Sequence, residues 1–512
     1  MPITLQQESS AGKKQRLAAS DLSPQVRLIA GPGTGKSWTI AQRVCFLLRT
    51  GVPAEAIRAV SFTRAASLDL ARKIQKHCDQ EGQPGAERVR VSTLHSLALS
   101  ALRRAGLVRG YYPGTPLVLD DWELENVFDK EFAAAHGLRP NRCKDIRREH
   151  EAFLVTRKRH PPNYLPPKRR ITQAERQAFE AFLGSRTQVY SCVLPGEIVR
   201  KAVDEMRAGL LSPKALLKAT HLIVDEFQDL NPCDLEFVYG IADSGVTTFV
   251  AGDDDQSIYA FRFAMPSGIQ NWTKRYLRSS ECQLEECFRC TPGVLNAAQV
   301  LIMKHHGPAR IPKTLTSLYS ASDPPESGVV HRWIFRSGRA EARAIAESCK
   351  KLMDRGVKPR SMLVLIGNCR VLVSALRQAF VTAGVDFEPP HEERFVNTRL
   401  GRFVLGIIRI VCDSHDYVAH RLILGERPKI GPGTCNSVAE AVLVNNLNFR
   451  DLFYSPLPGG VFRGRSLTAL NDARCVCSDI SGWNSQETIG QRKGDIGRMV
   501  GQLFGQPCTD RW

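Results

Sequence analysis

Between Val26 and Asp255, short apolar runs of β-type residues alternate with stretches in which apolar residues recur every three or four positions. That alternation predicts a parallel sheet whose strands are joined by crossover helices. Strands are expected at Val26–Ala30, Ile57–Phe62, Val89–Ser92, His221–Val224 and Val246–Ala251. Ile40, Val44, Leu47 and Leu48 mark one face of a helix after the first strand, and Gly51 stops it. From about Leu102 to Lys218 a helical, arginine-rich stretch interrupts the series and reads as an inserted domain. A second α/β unit is expected after Cys282, with a helix over Glu341–Met353, a strand over Met362–Ile366 and a helix over Val371–Ala383. A further helix, Arg399–Val411, opens something less regular. Past Gly431 the chain turns rich in Gly, Pro, Ser and Asn with weak periodicity, and an irregular tail is expected.

A chain of 512 residues has room for roughly three to four domains. Its 70 basic and 52 acidic residues leave a net charge of +18, which points to a polyanionic partner. No apolar run approaches the ~20 residues of a membrane span, so nucleic acid is favoured over lipid. Met1 to Lys14 holds no apolar core of a signal peptide. The 15 cysteines of so long a chain read as buried thiols in a reducing, cytoplasmic compartment. Eleven Lys/Arg between Leu138 and Arg170 form either a solvated charged surface or one that faces nucleic acid.

Candidate chemistry sharpens the picture at three places. Gly31-Pro32-Gly33-Thr34-Gly35-Lys36-Ser37 follows the first strand and opens the first helix, the order that phosphate binding needs. Glycines let backbone N–H groups close on the phosphates, Lys36 reaches them and Ser37 ligates Mg²⁺. Ala30 stands where the strict motif has its first glycine. Asp225 and Glu226 end a buried strand, placing one carboxylate for Mg²⁺ and one to polarise an attacking water. Gly252 to Arg262 follows the next strand; Asp253, Asp254 and Asp255 lack the closing glutamate of a calcium loop, and Gln256 fits a γ-phosphate sensor better. Cys282, Cys287 and Cys290 have iron–sulfur-like spacing but no obvious fourth cysteine.

Together these motifs resemble, in content and order, the UvrD/Rep/PcrA family of superfamily 1 DNA helicases. Gln15 resembles the family's adenine-reading glutamine, Ser61-Phe62-Thr63-Arg64 its motif Ia, and Val91 to Ser96 the next DNA-contacting segment. Asp225 to Asp229 and Gly252 to Arg262 are similar to motifs II and III, and Leu284 to Arg289 to motif IV. The resemblance implies a RecA-like ATP-binding domain over 1–101 and 219–281, an inserted helical domain over 102–218 and the start of a second RecA-like domain over 282–395. A helical insertion and irregular tail would fill 396–512. It implies ATP and Mg²⁺ as cofactors, with the nucleotide on Gln15, Ala30 to Ser37, Phe288 and Arg289. Catalysis falls to Lys36, Asp225, Glu226, Gln256 and Arg289, and Mg²⁺ to Ser37 and Asp225. Phe62, Thr63, His95, Tyr259, Phe261 and Arg262 would contact single-stranded or partly duplex DNA.

The implied activity is ATP-driven 3′ to 5′ movement along single-stranded DNA, with DNA repair as its setting. The resemblance runs from about residue 10 to 435, and Cys435 to Trp512 lies outside it. Thr488 to Gly494 only faintly echoes motif V, and no motif VI arginine is found, so the second motor domain is expected to be incomplete. An arginine delivered to the transition state contributes roughly 10³ to 10⁵ in rate. An ATP-binding, DNA-binding regulatory protein, or a truncated helicase with little unwinding, therefore stands as the alternative.

Overall fold

The computed structural model describes residues 8–108, 112–162, 164–305, 307–319, 328–388, 395–484, 486–487 and 489–504. Its main sheet is built from six parallel strands: β1 Gln25–Ala30, β2 Ile57–Ser61, β3 Arg90–Thr93, β4 His221–Val224, β5 Thr247–Gly252 and β6 Ser280–Leu284. They lie in the order β3-β2-β4-β5-β1-β6. The five expected strands form with ends displaced by at most one residue. The edge strand β6 was not expected, because Ser280-Glu-Cys-Gln-Leu284 alternates polar side chains around a single buried end, Leu284.

Alternate side chains of these strands enter two separate cores. Leu28, Ala59, Ile223, Phe249 and Ala251 join the helices Lys36–Arg49 and Arg64–Gln80 on one face. Ile29, Val60, Leu222, Val224 and Val250 meet Leu94–Arg104, Glu197–Arg207 and Pro232–Asp243 on the other. Burial on both faces explains the near-continuous apolar runs that make the strands legible. Helix starts are set by threonines at the sheet's carboxyl edge: Thr63 accepts from the Ala66 N–H and Thr93 from the Ser96 N–H.

The inserted stretch does not enclose a core of its own. Its helices Asp129–His136, Pro140–Thr156 and Gln173–Tyr190 share one apolar core with Arg399–Cys412, Tyr417–Gly425, Pro432–Val444 and Gly464–Asp479. Phe132, Phe179 and Phe182 meet Phe403, Ile423, Val438 and Leu470 there. At its centre the buried Glu131 carboxylate accepts from Arg186 Nε at 2.9 Å and from Arg421 Nε. Arg409 pairs with Glu123 at 2.6 Å, and Arg402 with Asp120 at 2.5 Å. The irregular tail expected after residue 435 is thus corrected to a run of helices reaching Phe504. Its apolar residues are too sparse to show a period, yet Cys435, Val438, Ala439, Ala469 and Leu470 are fully buried in the core shared with the inserted helices.

In the expected second α/β unit the helices Gly338–Asp354 and Cys369–Ala383 form and pack through Ala342, Ala346, Leu376 and Phe380. The strand expected at Met362–Ile366 does not form. Leu363 and Leu365 are 81% and 85% exposed, since an extended apolar segment becomes a strand only where a neighbouring strand offers its hydrogen bonds. Among the described residues no helix is long and apolar enough to cross a membrane.

Candidate nucleotide and nucleic-acid site

All six strands deliver a motif at their carboxyl ends, so segments scattered over nearly 300 positions converge on one edge of the sheet. The loop after β1 opens the helix Lys36–Arg49 through Gly35, which has φ 93° and makes no side-chain cap. The first-turn N–H groups are left for a ligand, with the positive end of the helix dipole behind them. Neighbouring groups leave no space for a side chain at the glycines of this loop. A Cβ on Gly35 would lie 2.3 Å from Gln15 Nε2, one on Gly33 2.5 Å from Arg289 Cβ, and one on Gly31 2.5 Å from Leu315. Ala30 is tolerated because it is still strand, paired with Leu284, its methyl group buried in the core. Pro32 lines the cavity, and Thr34 is tucked beneath the loop with its hydroxyl donating to Gly31 O at 2.8 Å.

Gln15 donates from Nε2 to Thr34 O at 3.0 Å, which fixes the helix Glu8–Ala19 against the loop. The Phe288 N–H donates to Gly33 O at 2.9 Å, so Phe288 and Arg289 lie across it from the other side. Ser37, Glu226, Gln256, Phe288 and Arg289 all face one cavity of about 1440 Å³. It exceeds the roughly 300 to 1,000 Å³ of common small-molecule sites and continues past Trp38 to Lys76 and His77.

Lys36 Nζ lies 3.2 Å from Asp225 Oδ1 and 2.5 Å from Glu226 Oε2. Burial alone would lower the ammonium's pKa, but the two carboxylates outweigh it and raise it. Burial lifts Asp225, while Glu226 is held down against burial by Lys36. Glu226 stands in the left-handed region at φ 53°, a strained turn that aims its carboxylate back at the loop. Gln228 Nε2 donates to Glu226 at 2.8 Å, and Gln228 Oε1 accepts from the Asp253 N–H at 3.1 Å. A Cβ on Gly252 would come 2.3 Å from Gln228 Oε1, so glycine is needed for this bridge. Gln228 and Asp229, whose carboxyl is raised to about 7 by burial and by Glu226, carried no assigned role in the sequence reading. Their place in Asp225-Glu226-Phe227-Gln228-Asp229 was the available signal.

A second cluster gathers at the ends of β2, β3 and β5. Phe62 and Tyr259 have ring centroids 4.7 Å apart, and Tyr259 and Phe261 5.8 Å. The Arg262 guanidinium lies 5.9 Å from the Phe62 ring, and Phe261 is 70% exposed. This pairing of open aromatic faces with cations suits stacking of successive bases. Two expected members are otherwise engaged. Thr63 caps the helix Arg64–Gln80, and His95 Nε2 accepts from the Gly196 N–H at 3.1 Å. Burial, Arg262 and Arg64 press His95 down to about 4, so the ring is neutral at pH 7. Much of the basic run is used internally: Arg142 grips Glu175 at 2.7 Å and Arg147 grips Asp129 at 2.9 Å. Lys144 meets Glu125.

Residues 11–277, a little over half the chain, match the family model for the UvrD/REP helicase N-terminal domain. The chain is similar to the ATP-dependent DNA helicase PcrA of Staphylococcus aureus, at 24% identity over 441 residues. The PcrA of Staphylococcus epidermidis is 23% identical over the same length. Each match covers 83% of this chain and 57% of the relative, so the chain spans little more than half the length of these curated relatives.

Proposed function

Since the chain belongs to the UvrD/REP helicase family, we propose that it is an ATP-hydrolysing DNA helicase or translocase that tracks along single-stranded DNA. Movement from 3′ to 5′, a setting in DNA repair and a cytoplasmic location complete the reading. The observation that carries it is the meeting of Lys36 with Asp225 and Glu226 beneath an uncapped helix N-terminus, with Arg289 laid over the same loop.

The residues suit Mg·ATP. The glycines let Gln15, Arg289 and Leu315 close on the loop beside an open cavity, the first-turn N–H groups lack side-chain caps, and Ser37 and Asp225 offer the hard oxygen ligands that Mg²⁺ takes. When bound, Mg²⁺ neutralises charge on the phosphates. Lys36 exchanges its two carboxylates for phosphate oxygens, which frees Glu226 to orient water. Gln256 reads the γ-phosphate from the loop after β5, and Arg289 adds positive charge from the loop after β6. Phe288 lies against the base beside Gln15. Changes at Gln256 reach Phe261 within five residues along one loop, which connects nucleotide state to the stacking of bases on Phe261, Tyr259 and Phe62.

A second reading, an ATP-binding, DNA-binding regulatory protein with weak turnover, draws on the unpaired 362–366 segment, where a second sheet would stand. Measuring ATP hydrolysis with and without single-stranded DNA separates the two. Stimulation is expected from a motor, and its absence in the purified chain would rule the motor out.

A further inference from the structure

Three successive carboxylates, Asp253, Asp254 and Asp255, follow β5 and bring ligand oxygens within 4.8 Å of one another. Like charges so close need a cation, and a side chain from far along the sequence supplies it. Lys313 Nζ lies 2.8 Å from Asp253, 2.5 Å from Asp254 and 2.9 Å from Asp255, with its side chain 1% exposed. Arg310 adds a bidentate contact to Asp255 at 2.8 and 2.9 Å, and the Ile311 N–H donates to Asp254 at 2.8 Å.

Asp253 is the member that faces two ways. One oxygen meets Lys313 and the Asp255 N–H, and the other accepts from Gln256 Nε2 at 2.7 Å. Gln256 in turn faces the nucleotide cavity. The lysine's own segment runs on to Leu315, against Gly31, and to Thr316–Ser317, which pairs with Glu286–Cys287 just before Phe288 and Arg289. Residues 310–317 therefore touch the sensor loop, the phosphate loop and the arginine segment.

From this geometry we propose that Lys313 is a positioning residue for the γ-phosphate response: it fixes Asp253, Asp253 orients the Gln256 amide, and displacement of the 310–317 segment is thereby felt at the nucleotide. This rests on the nucleotide reading above. With Lys313 removed, a buried cluster of three carboxylates keeps Arg310 as its one remaining basic partner among those described, and Asp253 no longer has a fixed place from which to hold Gln256.

The test compares binding of ATPγS and ADP to the full chain, which reads the γ-phosphate whether or not the chain hydrolyses ATP. Lys313→Met should leave ADP affinity unchanged and lower the preference for ATPγS by about tenfold, as expected for one misdirected hydrogen bond to a charged group. DNA-stimulated hydrolysis should fall in parallel. Adding Asp254→Asn restores the charge balance and should recover the preference, while ADP affinity unchanged in the single variant is the outcome that a purely structural role would not give. If Lys313→Met does not fold, Lys313→Gln replaces it with the same expectation. A folded variant that keeps the wild-type preference, or a double variant that folds without recovery, overturns the proposal. A wild-type chain with no preference for ATPγS would instead refute the γ-phosphate reading of Gln256, and this inference with it.

Discussion

Replacing Glu131 with alanine removes the carboxylate on which two guanidiniums close inside the helical unit. Arg186 and Arg421 are both nearly inaccessible, and Tyr190 also donates to Glu131, at 3.3 Å. Breaking a buried pair by deleting one partner costs about 3 to 5 kcal/mol, because the charge left behind stays desolvated. Two arginines lose a partner here, which favours the upper end of that range. The loss is less than doubled because Arg186 keeps Asn436 and sits 3.7 Å from Glu440. Since a typical domain is stable by only about 5 to 15 kcal/mol, the variant should leave the unit close to unfolding. Urea unfolding followed by circular dichroism gives the energy, and hydrogen exchange gives the location. Residues 129–190 and 399–479 should lose protection together while β1 to β5 keep theirs. A loss under about 1 kcal/mol, or loss confined to one of the two segments, would refute the claim of a single shared core.

Other expectations follow from the two sites. Lys36→Ala should abolish measurable ATP binding or turnover, while Glu226→Gln should retain binding and stop hydrolysis; fluorescent-nucleotide titration and phosphate release distinguish the two. Phe261→Ala should weaken single-stranded DNA by ~1 to 3 kcal/mol, the usual worth of one stacked base, with little change in ATP affinity; fluorescence anisotropy reads both. His420 is held down to about 4 by burial, with its ring against Asp416 O and the Tyr454 hydroxyl. The unfolded chain takes that proton near the ordinary value of 6.5 and the folded chain does not. Stability should therefore decline as pH falls from about 6.5 to about 4 and level off below, by at most about 3 kcal/mol for this group. A plot of melting temperature against pH checks it, with a flatter slope expected for His420→Gln.

Buried strands and the glycine-rich turn between the first strand and helix were legible in the sequence because each leaves a local signature. Leu28 to Ala30 and Leu222 to Val224 are apolar and buried on both faces, and Gly31 to Ser37 makes its turn from strand to helix even with Ala30 at the front. What stayed hidden was set by partners remote in sequence. Ser280 to Leu284 becomes a strand because β1 offers it an edge. Lys313 is an ordinary lysine until the chain brings it to Asp253. Arg147, read within a basic run, is a buried partner of Asp129. Met362 to Ile366 errs in the other direction, having the composition of a strand with no neighbouring strand beside it among the described residues.

The joint helical core also sets an order of events during synthesis. The inserted helices leave the ribosome by residue 190, yet Arg399 and the segments that cover Phe132, Phe179 and Phe182 emerge about 200 residues later. At ~5 to 20 residues per second the delay is roughly 10 to 40 s. For that interval an aromatic surface built to be internal is open to other chains. The nascent protein is expected to depend on chaperones most while the whole of its glycine-rich loop is already made.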